Sequence, residues 1–419
     1  MKKIGKAALI FAILVAGYLL LGLLAYLVPD APVRHHVEQT IAKGDMDNDY
    51  PKAIIHADYG TQDQYTMDNF TDALILNQAV NLRSEGVKSF LLLPRHDEGV
   101  YQCNNLRHYM AGTEEGWTLH YARYWHGSTF LARILLAITS YTGIRYLLYL
   151  LSSLLMLWCL FRLWRTVGRK TMFAVMVALL MVNVYVMQFS LQFAPVLMIA
   201  LSGMVWLTYH RSRDASLLFI VLGSLTAFLD LITVPTITLG LPLVVLVAMR
   251  NESDLRRGLW MLVQMTLWWL AGYVLTWLSK WGVATLLTGE NIFVDAYSQG
   301  TYWSEGGSSF VGEAISSNLK FLHWKFVVVA LAVLAVLATI RFRKKGWPMA
   351  VQYLLVALIP FGYYIMMAHP AQHHAWYNYR ALVTAVAALL MAGATLVDWG
   401  RIGILKKRKS WTLPKEDMK

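Results

Sequence analysis

Charge is scarce in this sequence. Asp, Glu, Lys and Arg make up 15% of 419 residues against 57% hydrophobic ones, which argues against a water-soluble domain of this length and predicts a polytopic membrane protein. Cysteine is nearly absent: Cys103 stands in a polar segment and Cys159 inside an apolar run. At such different depths neither a disulfide nor cysteine chemistry is expected. Also missing are a phosphate-binding glycine loop, HExxH, GxSxG and a dinucleotide fingerprint, so ATP-driven transport by this chain alone is not expected. Internal repeats and low-complexity linkers are lacking too.

Basic charge, by contrast, is plentiful and confined to few places. A net charge of +12 would suggest nucleic acid in a soluble protein, but here Lys and Arg gather in FRLWRTVGRK, HRSRD, MRNESDLRRG, RFRKKG and KKRKS, between or after apolar runs. This is the positive-inside pattern, and no nucleic-acid partner is expected. Placing those segments in the cytoplasm predicts ten helical passes, at 4–28, 144–165, 171–188, 193–209, 217–229, 233–249, 259–288, 326–341, 348–367 and 380–397, with both termini inside. The apolar run from Ala7 to Val28 exceeds a signal-peptide core and no small-x-small cleavage pattern follows, so an uncleaved first span is expected.

The predicted organisation is a first span at 1–28, an extracytoplasmic segment at 29–128, a helical bundle at 129–398 with an outer loop at 289–325, and a basic cytoplasmic tail at 399–419. The first outer segment holds 14 of the 25 acidic residues, so any chemistry is expected outside. Residues 217–249 must cross twice in 33 residues. At 1.5 Å per residue that is roughly 50 Å, short of the roughly 60 Å for two crossings. A re-entrant-like hairpin with its tip at "FLDLITVP" is therefore predicted, non-helical backbone at that depth being tolerated only against protein or a wet cavity. The polar turn "MQFSLQFAP" points the same way.

Five groups of residues could carry chemistry. In "YTMDNFTDALIL", Asp68 and Asp72 are four apart, on one face of a helix; either could be a general base for an acceptor hydroxyl, or Asp68 could cap the helix. Asp47, Asp49 and Asp58 are nearby alternatives. In "HYARYWHGSTFLARILL", His120, Arg123 and His126 precede a stretch with Arg133 that suits an interfacial helix on the outer leaflet, while Arg123 or His126 could contact lipid-linked phosphates. Asp230 lies inside an apolar hairpin, where it is a functional group, an ion-pair partner or a cap through Thr233. Lys280 falls near the outer boundary, where snorkelling is the favoured reading and phosphate neutralisation the other.

The fifth group is "AHPAQHHAWYNYR", residues 368–380. His369 and His373 have the spacing of a helical metal pair, yet neither Cys nor an acidic residue accompanies them, so no metal is assigned and a divalent ion stays the lesser alternative. An interfacial aromatic belt is a second reading. Polar contact with a sugar or phosphate is the third, with Arg380 as the phosphate partner and His373, His374 and Tyr377 at a cavity rim.

Taken together, "MDNFTDALILNQA", "YARYWHGSTFLARILL", "FLDLITVPTITLGLPL", "GYVLTWLSKW" and "HHAWYNYR" resemble a group of largely uncharacterised bacterial polytopic membrane proteins, over about residues 65–380. More distantly, the plan is similar to the GT-C class of integral membrane glycosyltransferases. That resemblance implies an all-α GT-C-like fold in the bacterial cytoplasmic membrane, a polyprenyl-phosphate-linked sugar donor, and a glycan or lipid acceptor in the cell envelope. It also implies Asp68 or Asp72 as base and Lys280 and Arg380 near phosphate, although the acidic motif of the class often lies closer to the first helix. A lipid or polysaccharide transporter and a non-catalytic envelope-assembly partner are the alternatives.

Overall fold

In the computed structural model, which describes residues 2–53, 63–99, 101–113, 116–211, 213–304 and 307–399, the chain is an almost continuous succession of helices. Asp58 and the basic tail beyond residue 399 lie outside the described residues. Long apolar runs become helices because a bilayer offers no partner for a free backbone amide, and a helix satisfies them all within one segment. The first, α1 (Lys2–Leu27), ends where Pro29 disfavours helical geometry at the residue before it.

The outer segment then folds on a small core of its own. It comprises α2 (Asp30–Ala42), α3 (Asn69–Asn81), α4 (Ser89–Leu92), β1 (Pro94–Asp97), α5 (Gln102–Ala111) and β2 (Trp117–His120). The two strands pair antiparallel, Pro94 opposite His120 and Asp97 opposite Trp117. Val33, Val37, Met46, Ile75, Leu76, Cys103 and Leu106 pack together against the starts of the helices that follow. Glycine serves the turn that ends α5: Gly112 sits at φ 76°, in the left-handed region.

Next comes α6 (Gly127–Leu136), and here the structure corrects the sequence reading. Rather than lying on the leaflet, α6 is largely buried, and Arg133 is fully so. Its guanidinium donates to the carbonyls of Ala25 at 2.9 Å, Val28 at 2.7 Å and Ala79, and to Asp30 at 2.6 Å. Ala25 and Val28 belong to the end of α1, whose last carbonyls lack helical partners. What looked like an interfacial charge is a clamp between α1, α3 and α6.

The bundle continues with α7 (Tyr141–Thr166), α8 (Arg169–Met181), α9 (Val184–Gln188), α10 (Phe193–Tyr209), α11 (Ser216–Leu229), α12 (Ile237–Arg250), α13 (Leu255–Thr288), α14 (Ile292–Ser304), α15 (Gly307–Phe321), α16 (Trp324–Ile340), α17 (Trp347–Ala357), α18 (Ile359–Met366), α19 (Ala368–His373), α20 (Ala375–Asn378) and α21 (Val383–Leu396). The predicted pass at 171–188 is broken at Asn183, which sits at φ 50° between α8 and α9. Backbones approach most closely between α11 and α13: a Cβ on Gly223 would strike the Trp269 carbonyl, and one on Gly272 the Ile220 carbonyl.

Five described segments are long and apolar enough to cross a membrane, Lys3–Leu27, Tyr141–Thr166, Leu255–Thr288, Lys344–Met366 and Ala375–Leu396. The α15–α16 pair, bent by 79°, makes a sixth if it is one broken span. Length does not carry the count to ten: α10 has 17 residues and α11 and α12 have 14 each, about 26 and 21 Å against a core of about 30 Å. Exposed large apolar side chains along α1, α7, α13 and α16 (Leu9, Leu20, Leu154, Leu157, Trp260, Leu267, Val329, Val333) form a belt suited to lipid. The architecture is that of an all-α, multi-pass membrane protein.

Candidate functional site

The region where the outer segment meets the bundle is built on the start of α3. Asp68 caps that helix, its Oδ1 accepting from Thr71 N at 3.0 Å, and 8% of it is exposed. One turn on, Asp72 is enclosed: Oδ2 accepts from the Tyr141 hydroxyl at 2.8 Å, and Oδ1 from Leu191 N at 3.0 Å and Ser190 Oγ at 3.4 Å. Arg145 donates to the same Tyr141 oxygen at 3.1 Å. Burial pushes both carboxyls up from the usual range, more than Arg145 pulls Asp72 down, and Asp72 is held at about 7.

The last connection of the chain reaches this pair through Tyr377. It is helical rather than a plain loop, passing through α19, α20, which buries Trp376 and Tyr377, and a 3-10 turn over Tyr379–Leu382, which buries Tyr379 and Arg380. Tyr377 packs on Phe193 with ring centroids 3.7 Å apart, and its phenol lies within electrostatic range of Asp68, Asp72, Asp230 and Arg380. Arg380 is fully buried and donates only to carbonyls: Gln64 at 3.0 Å, Trp376 at 3.2 Å and Tyr377 at 3.4 Å. Its Nε has no protein partner, and no carboxylate pairs with it among the described residues.

Asp230 closes the third side. It ends α11, and its carboxylate accepts from Thr233 N at 3.0 Å and from Gln192 Nε2 at 3.3 Å. Gln192 also reaches the Thr233 hydroxyl. The strained turn between α11 and α12, with Ile232 at φ 61°, is pinned by Tyr363, whose hydroxyl donates to Ile232 O at 2.8 Å. Tyr124 and Tyr273 face Asp230 from α6's approach and from α13. The turn is thus a polar knot inside protein, where irregular backbone can be kept at membrane depth.

The other candidates stand elsewhere. Lys280 does not snorkel: it is fully buried, donates to Leu91 O at 2.6 Å and lies 5.5 Å from the Trp125 ring. The reason is that α4 is a single turn whose final carbonyls need outside donors. Nor does it pair with Asp230. Arg123 is tied to Asp295 at 3.5 Å and stacks on Tyr121 at 4.2 Å, while His120 bridges Glu85 and Glu290. His126, buried at φ 54°, has Nε2 3.0 Å from Tyr121 O and a partnerless Nδ1. Burial holds its imidazole well below the usual range, hence neutral.

His373 is exposed and packs edge-on against His374 at 4.8 Å, and His369 stacks on Phe310. Burial, with the neighbouring His373 and His369, lowers His374 to about 4. Among the described residues no three His, Cys, Asp or Glu side chains gather closely enough to hold a metal. Asp49 accepts from Cys103 N at 2.8 Å, and Asp47 pairs with Arg107 at 3.3 Å.

Sequence reasoning passed over Gln192, Tyr124, Tyr273 and Tyr363. A glutamine within "MQFSLQFAP" was the available signal, since an amide in an apolar run needs a buried partner. The tyrosines carried none, because nothing local separates a phenol at a site from one in a lipid-facing belt. Comparison with known proteins finds no match: no family model, no curated protein and no solved structure is significantly similar to this chain.

Proposed function

We propose that the chain is a GT-C-like glycosyltransferase of the bacterial cytoplasmic membrane, moving a sugar from a polyprenyl-phosphate donor to an acceptor in the cell envelope. One observation carries this reading. Asp68 and Asp72 from the outer segment, Asp230 from a broken hairpin and Arg380 from the last connection all lie within electrostatic range of the Tyr377 phenol, although some 300 residues of sequence separate the first from the last. Three acids and a cation without a carboxylate partner, drawn together and lined by rings, suit a sugar carried on a phosphate.

Asp68 is the better base of the pair. One of its oxygens caps α3 and the carboxyl faces Tyr377, whereas both oxygens of Asp72 are already engaged. In the proposed step Asp68 takes the proton of the acceptor hydroxyl as that oxygen attacks the anomeric carbon. The bond from that carbon to the lipid phosphate breaks, and the phosphate leaves with the electron pair beside Arg380. Asp72 positions α3. Lys280 takes no part, because its ammonium is committed to Leu91.

Purified protein supplied with labelled polyprenyl-phosphate sugars and envelope acceptors tests the proposal. Asp68→Asn should lower transfer by about a hundred-fold or more, with the Michaelis constant for the donor little changed. Full transfer by Asp68→Asn removes the base. The 79° bend between α15 and α16 adds a second interrupted element to the hairpin at Asp230, which favours a transporter as the second reading. Movement of intact lipid-linked sugar across a liposome, with no transfer to any acceptor, would select it.

A further inference from the structure

At the end of the bundle opposite the outer segment, a pocket of about 360 Å³ opens between the α7–α8 turn, the end of α12, the start of α17 and the end of α21. We infer that it binds a phosphate-bearing ligand. This rests on the pocket alone and not on the glycosyltransferase reading.

Its walls are of two kinds. Arg169, Lys170 and Arg343 form its cationic lining, with the two arginines exposed, and Val167, Ala248, Met349 and Met391 its apolar lining, with the two methionines buried. Lys170 and Arg343 stand close enough for each to feel the other's charge, a repulsion that an anion between them relieves. The acidic group facing Lys170 is Asp398, and its ring neighbour is Trp399 at 5.2 Å. Neither arginine forms an ion pair among the described residues. This volume falls within the range of about 300–1,000 Å³ typical of small-molecule sites.

The start of α8 supplies the second element. Gly168 occupies the N-cap and offers no side chain to cap the helix, so the first amides of a 13-residue helix meet the pocket without a built-in acceptor. The third element is Tyr353. It borders the pocket, is fully buried, and its hydroxyl has no protein partner. Buried hydroxyls are nearly always satisfied, so an unpartnered one on a residue that lines the pocket is open to a ligand acceptor. Helix amides, guanidinium groups and a phenol are together a donor set for phosphate oxygens, while the apolar lining suits the carbon body attached to it.

Two sources share that chemistry, an anionic lipid headgroup and a soluble phosphate compound. The full-length protein is reconstituted in nanodiscs of phosphatidylcholine alone or with phosphatidic acid. Retained lipid is counted by native mass spectrometry, and pyrophosphate affinity is measured by thermal shift. In the Arg169→Gln/Arg343→Gln variant, phosphatidic acid retention or pyrophosphate affinity should fall about ten-fold or more. Arg341→Gln/Lys345→Gln, which removes the same charge outside the pocket, should leave both within about two-fold. Tyr353→Phe should weaken the ligand a few-fold without changing the charge. An effect on lipid alone identifies the headgroup, and an effect on pyrophosphate alone the soluble compound. Equal losses in the two charge variants would reduce the site to surface attraction and overturn the inference, as would the binding of neither probe.

Discussion

Replacing Arg133 with methionine tests how the outer segment is held to the bundle. The substitution keeps a long stem and removes every donor. Three carbonyls lose a partner, those of Ala25, Val28 and Ala79, together with one carboxylate oxygen of Asp30. The Asp30 term is small because that side chain is 42% exposed and exposed ion pairs contribute about 0–1 kcal/mol. The carbonyls dominate: Ala25 O keeps Val28 N at 3.2 Å, but those of Val28 and Ala79 lose the guanidinium, and each buried acceptor left unsatisfied costs about 1–3 kcal/mol, so a loss on the order of 2–5 kcal/mol is expected. The assay is retention of the monodisperse peak after heating in detergent, with Asp30→Asn and Arg133→Lys in parallel. Asp30→Asn should fall within about 1 kcal/mol of the parent, and Arg133→Lys between the two, since one ammonium cannot reach all four acceptors. An Arg133→Met protein as heat-resistant as Asp30→Asn would refute the clamp and restore the interfacial reading of α6.

Other expectations follow from the same geometry. Asp72 is held at about 7, above its ordinary 3.8; a carboxyl raised in the folded state contributes stability below the ordinary value and loses it as pH rises through the folded one. Thermal stability should therefore decline between about pH 4 and 7 by an amount on the order of 4 kcal/mol, and Asp72→Asn should flatten that slope. An unchanged slope in the variant would place the titration elsewhere. Gly272→Val should prevent correct packing of α11 on α13, whereas Gly282→Val, where a Cβ meets nothing, should not; equal recovery of monodisperse protein from both would refute the close approach. Cys103 and Cys159 are both buried, so maleimide should label neither until the protein unfolds, and rapid native labelling of either would contradict its placement.

Much of the helical layout was legible from hydropathy. The predicted pass at 193–209 coincides with α10, and those at 217–229, 259–288 and 326–341 differ from α11, α13 and α16 by a few residues. A long apolar run has one outcome in a membrane, and tertiary context does not alter it. Context decided the rest. The break at Asn183 was not readable, because a single asparagine inside an apolar run carries only a modest helix penalty. Arg133 and Lys280 were misplaced for one shared reason: hydropathy assigns a charge to water, while these two serve carbonyls left open by the end of α1 and the single turn of α4. The four-residue spacing of Asp68 and Asp72 marked the start of a helix, α3. Their meeting with Asp230 and Tyr377 depends on long-range packing that no local pattern encodes.

The contact of Gly223 and Gly272 sets a frame of reference for anything that moves here. Two helices whose carbonyls nearly touch the opposite glycine cannot slide by a residue without collision, so α11 and α13 travel as one piece. Asp230 ends the first and Lys280 rides on the second. The distance between those two positions is a fixed ruler, and labels placed beside them should report the same separation in every state the protein visits, while labels on α16, beyond the bend, are free to register change.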